Sequence, residues 1–177
     1  MKVIFLDLDG VIVTNHYLTR LEQKGEPWRD AAGYAHFCPR CLANVEELVA
    51  RTGASVVLSS TWRFFLEDLD GVRRFFRSRD TRFEIHDVTP LVDYYPGKPS
   101  RNADRGREIA AWLAVHPEVT RYCILDDDPR ILPEQRPYWV RTTFHYGFTR
   151  ARLETALRIL ADEPGGPATA GSGNAPK

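Results

Sequence analysis

The sequence has no long uninterrupted apolar run, and this absence limits where the protein can be placed. Asp7 and Asp9 interrupt the hydrophobic residues near the amino terminus, where a signal peptide would lie. A transmembrane helix needs about 20 predominantly apolar residues, so we expect neither such a helix nor a signal peptide. The default expectation is a cytoplasmic location.

The chain also lacks an excess of charge of either sign. Lys plus Arg and Asp plus Glu both number 24 in 177 residues. No global field therefore requires a nucleic acid or a membrane as partner, although local patches remain possible. Cysteine is scarce as well. The 3 cysteines, without a secretory signal, predict reduced thiols rather than a disulfide framework.

What the sequence does contain is enough apolar material for one domain, with 43% hydrophobic residues. We predict that this domain covers residues 1–162. From about residue 163 the chain is rich in Gly, Pro, Ala, Ser and Asn, with too few apolar residues to pack. A disordered tail is therefore predicted for residues 163–177.

Short apolar runs alternate with helical patterns along this domain. Strands are predicted at residues 3–6, 54–58, 83–88, 121–125 and 138–142, and helices at 39–53, 62–79, 103–115 and 150–160, with a possible break at Gly71. The polar and aromatic stretch 14–37 is interpreted as a loop or small insertion. The alternation predicts an α/β fold with a doubly wound parallel sheet of about five strands and helices on both faces.

Polar side chains follow three of the predicted strands: Asp7 and Asp9 after the first, Ser59 and Ser60 after the second, and Asp126 and Asp127 after the fourth. Because the carboxyl ends of parallel strands meet at one edge, these side chains should converge. Carboxylates this close need a cation, and oxygen ligands favour Mg²⁺, which commonly shares a substrate phosphate. The pattern predicts a magnesium site for phosphoryl chemistry; the ordinary alternatives are turn aspartates and N-capping serines.

In order and spacing these motifs resemble those of the haloacid dehalogenase superfamily of magnesium-dependent phosphohydrolases. The run from Val3 to Gly10 is similar to its hydrophobic strand followed by Asp-x-Asp-Gly, Ser59 to its hydroxyl after a strand, and Asp126-Asp127 to its paired acids. Three further segments, at 58–63, 105–113 and 124–128, resemble the phosphatase-like domain of Swiss Army knife RNA repair proteins. The resemblance covers about residues 1–160 and implies a minimal cap over the site.

The resemblance implies a role for each of these residues. Asp7 would be the nucleophile that forms an aspartyl-phosphate, and Asp9 would be the general acid and then the base. Asp7 and Asp127 would hold Mg²⁺ through their side chains and Asp9 through its backbone carbonyl, while Asp126 would support the outer shell. Ser59, with Ser60 beside it, would bind the phosphoryl group.

The sequence departs from the superfamily pattern at the cation that usually precedes the fourth strand. Most members have a lysine near the start of this helix, but residues 103–115 contain none. Arg105 is the first candidate and Lys98, in the preceding loop, is its rival; a surface arginine is the simpler interpretation of Arg105. Arg63, one turn after Ser59, is a further candidate ligand of the substrate phosphate.

A second group of residues, His36, Cys38 and Cys41, competes for a functional interpretation. Cys-x-x-Cys with a nearby histidine is half of a zinc site, or a redox pair. No second half is found in the sequence, and Cys123 lies inside a predicted strand. Since Pro39 suits a first helical turn, we interpret the pair as part of a helix start, and whether it binds metal stays open.

The substrate is the least defined part of the prediction. Only residues 14–37 and short segments around 80–102 could form a cap, and an open site suits large substrates. An arginine run at 73–82, with Arg101, Arg105 and Arg107, favours a polynucleotide end or nucleotide, although such a run is more often a solvated helix face. The alternatives are a small metabolite, a phosphoprotein, or a module that binds phosphate without catalysis.

Overall fold

The computed structural model describes residues 1–92 and 105–161. The strands are β1 (Lys2–Leu6), β2 (Ser55–Leu58), β3 (Ile85–Val88), β4 (Arg121–Asp126) and β5 (Trp139–Arg141). The α-helices are α1 (Asn15–Gln23), α2 (Pro39–Thr52), α3 (Leu69–Arg77), α4 (Arg105–Ala114) and α5 (Arg150–Leu160). Lys98, Arg101, the end of the predicted domain at residue 162 and the tail 163–177 lie outside the described residues.

The strands form one parallel sheet in the order β3-β2-β1-β4-β5, which confirms the predicted fold class. From β1 the chain adds β2 and β3 on one side, then returns to add β4 and β5 on the other. The change of direction therefore falls between β1 and β4. In open parallel sheets, ligands bind at this point, outside the carboxyl ends of the strands.

Helices cover both faces of the sheet, as predicted. Ile4 and Leu6 of β1 face the cluster that holds the buried residues of α2, α3 and α5. Val3 and Phe5 face the opposite cluster, where Trp112 of α4 packs edge-on against Phe5 with ring centroids 5.4 Å apart. A central strand buried on both faces is held rigidly, and so is the residue that follows it. Within the described ranges, every helix is too short or too polar to cross a membrane.

The interpretation of residues 14–37 as a loop was incomplete, because this segment contains α1. The hydroxyl of Thr14 accepts a hydrogen bond from Tyr17 N at 3.3 Å and caps the helix. Leu21 is the helix residue that is buried, so α1 shows little of the apolar periodicity that identifies a helix in sequence. In contrast, the predicted start of α2 at Pro39 and its end before Gly53, which is left-handed, are confirmed.

The prediction of one helix from 62 to 79 was wrong. A 3₁₀ turn, Thr61–Phe64, comes first, and α3 begins only at Leu69. Asp68 caps α3 by accepting a hydrogen bond from Gly71 N at 2.7 Å. The chain therefore breaks at residues 65–68, and Gly71 lies inside α3.

Gly71 gives a test of this break. An alanine in place of glycine usually stabilises a helix by about 0.5–1 kcal/mol. Here an added Cβ would lie 2.0 Å from the carbonyl oxygen of Leu66. We expect Gly71→Ala to lower the free energy of unfolding by about 1–3 kcal/mol, measured by urea denaturation. An unchanged or higher value would show that residues 65–68 do not fold back on α3.

Candidate active site

The ends of β1 and β4 bring three aspartates together. Asp7 N donates to Leu125 O at 3.0 Å, and Asp7 Oδ1 accepts from Leu8 N at 2.8 Å, so both backbone and side chain of Asp7 are fixed. One carboxylate oxygen each from Asp7, Asp126 and Asp127 lie within 4.8 Å of one another. These are hard oxygen donors of the kind that Mg²⁺ and Ca²⁺ prefer, so the residues fit a divalent cation.

The turn after β1 gives Asp127 its place beside Asp7. Gly10 has a φ of +72°, which favours glycine, and its N–H donates to Val13 O at 2.9 Å. A Cβ at Gly10 would lie 2.3 Å from Cγ of Asp127. Glycine is therefore required both by the backbone conformation and by the closeness of the carboxylate.

Asp9 is held by a residue from the loop after β2. Trp62 Nε1 donates a hydrogen bond to Asp9 Oδ2 at 2.8 Å. Burial raises the pKa of Asp9 above its usual range, and the charge of Asp7 adds to this, while the bond from Trp62 opposes it. A carboxyl with a raised pKa keeps its proton to a higher pH, which suits a general acid.

Arg105, the first residue of α4, brings a buried cation to the aspartates. Its Nε donates to Asp126 Oδ2 at 2.6 Å, and its terminal nitrogen lies 3.4 Å from Asp7 Oδ2. Burial alone would lower its pKa, but the neighbouring carboxylates outweigh burial and raise the pKa above the usual value. Arg105 is therefore not a surface arginine. Its rival Lys98 lies outside the described residues.

Arg63 is also buried, and its partners belong to the protein. It donates to Ser59 O at 2.8 Å and to Ser60 O at 2.7 Å, and it pairs with Glu108 Oε2 at 2.7 Å. Glu108 also lies 3.7 Å from Arg105, so it joins the two arginines. The geometry shows Arg63 supporting the loop after β2 from within, and binding of a substrate phosphate by Arg63 stays a prediction.

Glu108 was not singled out in the sequence as a site residue. A signal was present, because Glu108 follows Arg105 by three positions and stands on the same helix face as the apolar Ile109 and Trp112. A buried acid on a core-facing stripe needs a cationic partner.

The two serines after β2 differ in their roles. Ser60 Oγ accepts from Trp62 N at 3.4 Å and caps the 3₁₀ turn, as the structural alternative predicted. Ser59 is completely buried, and its Oγ has no hydrogen-bond partner within residues 1–92 and 105–161. A buried hydroxyl without a partner is costly, so Ser59 is suited to bind a ligand oxygen.

Negative charge exceeds positive charge in this cluster. Burial raises the pKa of Asp126 well above its usual range and also raises that of Asp127, and in both cases the charge of Asp7 adds to the effect. The cluster has two arginines, Arg105 and Arg63. They are too few to neutralise the three aspartates of the cation site as well as Glu108 and Asp9. A divalent cation between Asp7, Asp126 and Asp127 would offset the excess and keep the carboxylates ionised.

Cys38 and Cys41 lie at the start of α2, where the helix interpretation placed them. Cys38 precedes Pro39 and its N–H donates to Ile12 O at 2.6 Å, while Cys41 Sγ donates to Tyr146 O at 3.4 Å. The Cys41 thiol and the N–H groups of the first helical turn lower the pKa of Cys38. The fold uses both residues as buried packing at a helix start.

A family model matches most of the chain. Residues 3–153 match the model of the family described as the HAD domain in Swiss Army Knife RNA repair proteins. The chain belongs to this family. The match confirms the resemblance expected from the motifs, and HAD domains generally use a divalent metal.

The chain is also similar to a solved haloacid dehalogenase-like hydrolase from Streptococcus pneumoniae. The two are 14% identical, the alignment covers 88% of this chain and 90% of the other, and the TM-score is 0.43. No curated protein matches the chain. The membership in the HAD family makes this chain a hydrolase domain of the haloacid dehalogenase type.

Gly10 tests the cation site. We expect Gly10→Ala to weaken Mg²⁺ binding by about 10- to 100-fold, because the new Cβ displaces Asp127. The matched control is Gly25→Ala, which has a φ of +70° and no atom within 4 Å of the added Cβ. It carries the same backbone strain without the collision. Isothermal titration with Mg²⁺ gives both affinities, and equal values for the two variants would contradict the assignment of Asp127.

Proposed function

We propose that the protein is a Mg²⁺-dependent phosphatase that hydrolyses a phosphomonoester through an aspartyl-phosphate on Asp7. The observation that carries the proposal is the position of Asp7. It is buried at the end of β1, 3.4 Å from the Arg105 guanidinium and within reach of two further carboxylates. Asp9 stands two residues on, with its carboxyl fixed by Trp62.

The donor set divides between metal and protein partners. Asp126 already accepts hydrogen bonds from Arg105 at 2.6 Å and from Asp128 N at 2.9 Å. Asp7 and Asp127 would therefore hold the ion through their side chains and Asp9 through its carbonyl, with Asp126 in support. When bound, Mg²⁺ would neutralise phosphoryl oxygens and so let one anion approach another.

In the first step a carboxylate oxygen of Asp7 attacks phosphorus, and the bond from phosphorus to the leaving oxygen breaks. Asp9 gives its proton to that oxygen, so the leaving group departs as an alcohol. The Ser59 hydroxyl, which has no other partner among the described residues, and the Arg105 guanidinium stabilise the transferred group.

In the second step a water molecule attacks the aspartyl-phosphate. Asp9, now ionised, takes a proton from the water and returns to its starting state. The bond between Asp7 and phosphorus breaks, which releases inorganic phosphate and restores the carboxylate. Arg105 lies beside Asp7, with a terminal nitrogen 3.4 Å from Asp7 Oδ2.

Two arginines of the run at 73–82, Arg73 and Arg79, are engaged within the fold. Arg73 donates to Ile85 O and His86 O at 3.0 Å, and Arg79 pairs with Asp30 at 2.5 Å. These arginines hold the fold together. A different observation is needed to favour a nucleotide or nucleic-acid terminal phosphate as the substrate. The alternatives are a metabolite, a phosphoprotein, or a module that binds phosphate without catalysis.

Replacement of the two aspartates tests the mechanism. We expect Asp7→Asn to lower kcat by at least about 10³-fold, because the nucleophile is lost. Asp9→Asn should slow release of the leaving group, the first step, by about 10²- to 10⁴-fold with an alkyl phosphate and clearly less with p-nitrophenyl phosphate, whose leaving group needs no proton. Steady-state rates with Mg²⁺ give the loss in Asp7→Asn, and single-turnover rates of leaving-group release give the comparison for Asp9→Asn.

Asp70→Asn is the control, since Asp70 has a side chain that is 72% exposed and lies in α3. It should leave the rates unchanged. Full activity in Asp7→Asn, or an equal effect of Asp9→Asn on single-turnover release of both leaving groups, would contradict the proposed roles.

A further inference from the structure

An aromatic cavity opens beside Asp9. It has a volume of about 490 Å³, a size typical of sites for small ligands. Asp9 and Arg29 are the charged residues among the described residues that line it. Half of the other lining residues are aromatic: Trp28, Tyr34, Trp62, Phe65 and Phe144. We call this the aromatic cavity.

The wall that residues 28–35 contribute is fixed in place. Arg29 and Ala35 form an antiparallel bridge, and Arg29 donates to Gly33 O at 2.6 Å. Arg79 of the segment after α3 pairs with Asp30 at 2.5 Å. The ring of Tyr34 packs against Phe75 in the core, with centroids 5.0 Å apart. The wall of the aromatic cavity is therefore fixed by contacts within the protein, and one of them comes from Arg79 of the arginine run.

Three of the aromatic residues that line the aromatic cavity are exposed to solvent. Phe65 is 70% exposed, Phe144 46% and Trp28 37%. Isolated exposed aromatics are ordinary, but these three line one cavity. Exposed apolar surface gathered at one place marks a binding site.

Asp9 connects the aromatic cavity to the reaction. Trp62 lines the cavity and donates to Asp9 Oδ2, and Asp9 would protonate the leaving oxygen. The group attached to that oxygen must then extend into the cavity. On the basis of the proposed function, we propose that the aromatic cavity binds the nucleobase of a nucleoside monophosphate whose phosphate is removed.

The wall chemistry favours a nucleobase over other leaving groups. A sugar phosphate needs several polar partners for its hydroxyls, and an aromatic wall supplies few. Nucleobases stack on aromatic rings whichever base is present, and arginine adds cation–π attraction. Here the Arg29 guanidinium lies 4.2 Å from the centroid of the Trp28 ring.

Two substrate comparisons test the proposal on the full chain with Mg²⁺. We expect kcat/KM for nucleoside monophosphates to exceed that for glycerol phosphate by about tenfold or more, through KM. A phosphotyrosine peptide turned over faster than the nucleotides, or no preference over glycerol phosphate, would overturn it. An oligonucleotide with the same terminal phosphate shows whether the base belongs to a strand end or to a free nucleotide, both within the proposed class. Turnover equal to or faster than that of the nucleoside monophosphate indicates a strand end, and slower turnover indicates a free nucleotide.

Phe65→Ala and Tyr146→Ala form a matched pair of variants, because their rings are 70% and 63% exposed but only Phe65 lines the aromatic cavity. Phe65→Ala should raise KM for the nucleotide by about tenfold and leave glycerol phosphate unchanged. Tyr146→Ala should change neither. Equal KM values for the two variants would overturn the placement of the base.

Binding of adenosine, which has no phosphate, separates this proposal from the proposed function. Titration of the Asp7→Asn protein should quench tryptophan fluorescence, since Trp28 and Trp62 line the aromatic cavity. Phe65→Ala introduced into this protein should weaken the binding. If adenosine binds but the native protein has no phosphatase activity, the hydrolase mechanism is refuted and the base site is kept. If the native protein hydrolyses phosphomonoesters but adenosine does not bind, the base site alone is refuted.

Discussion

The rest of the structure depends on one constraint, which is the repulsion between carboxylates at the carboxyl ends of β1 and β4. Asp7 and Asp126 are both buried because two neighbouring strands end there, and burial raises the pKa of Asp126 well above its usual range. Arg105 offsets the repulsion by contacting both carboxylates. It has to be buried to do so, which in turn requires Glu108 as a partner on α4. The aspartates at the ends of β1 and β4 and the packing of α4 therefore form a single electrostatic unit.

Trp62 and Arg63, which are adjacent in the chain, connect this electrostatic unit to the proposed substrate site. Arg63 points inward and holds the carbonyls of Ser59 and Ser60, so the Ser59 hydroxyl is kept at the site. Trp62 points outward, bonds to Asp9 and forms part of the aromatic cavity. Both residues belong to the short 3₁₀ turn Thr61–Phe64, and their side chains point in different directions. The loop after β2 thus links the residues that we propose bind phosphate, act as the acid and hold the leaving group.

Much of the fold could be predicted from the sequence, because β1 is a continuous apolar run and α2 has a clear start at Pro39 and stop at Gly53. The strand-end aspartates followed from that topology. The helix α1 was missed because it buries little, and the break at 65–68 because the apolar pattern continues across it. The orientation of Arg63 and the aromatic cavity depend on contacts between distant segments, which local patterns do not contain.

The most direct test of the account is detection of a phosphoryl group on Asp7. The Asp9→Asn protein is mixed with Mg²⁺ and p-nitrophenyl phosphate, quenched in acid and analysed by peptide mass spectrometry. Because this leaving group needs no proton while hydrolysis of the intermediate needs the base, the account predicts that phosphorylated Asp7 accumulates. Turnover with no phosphoryl group on the protein, or with the group on a residue other than Asp7, would contradict it.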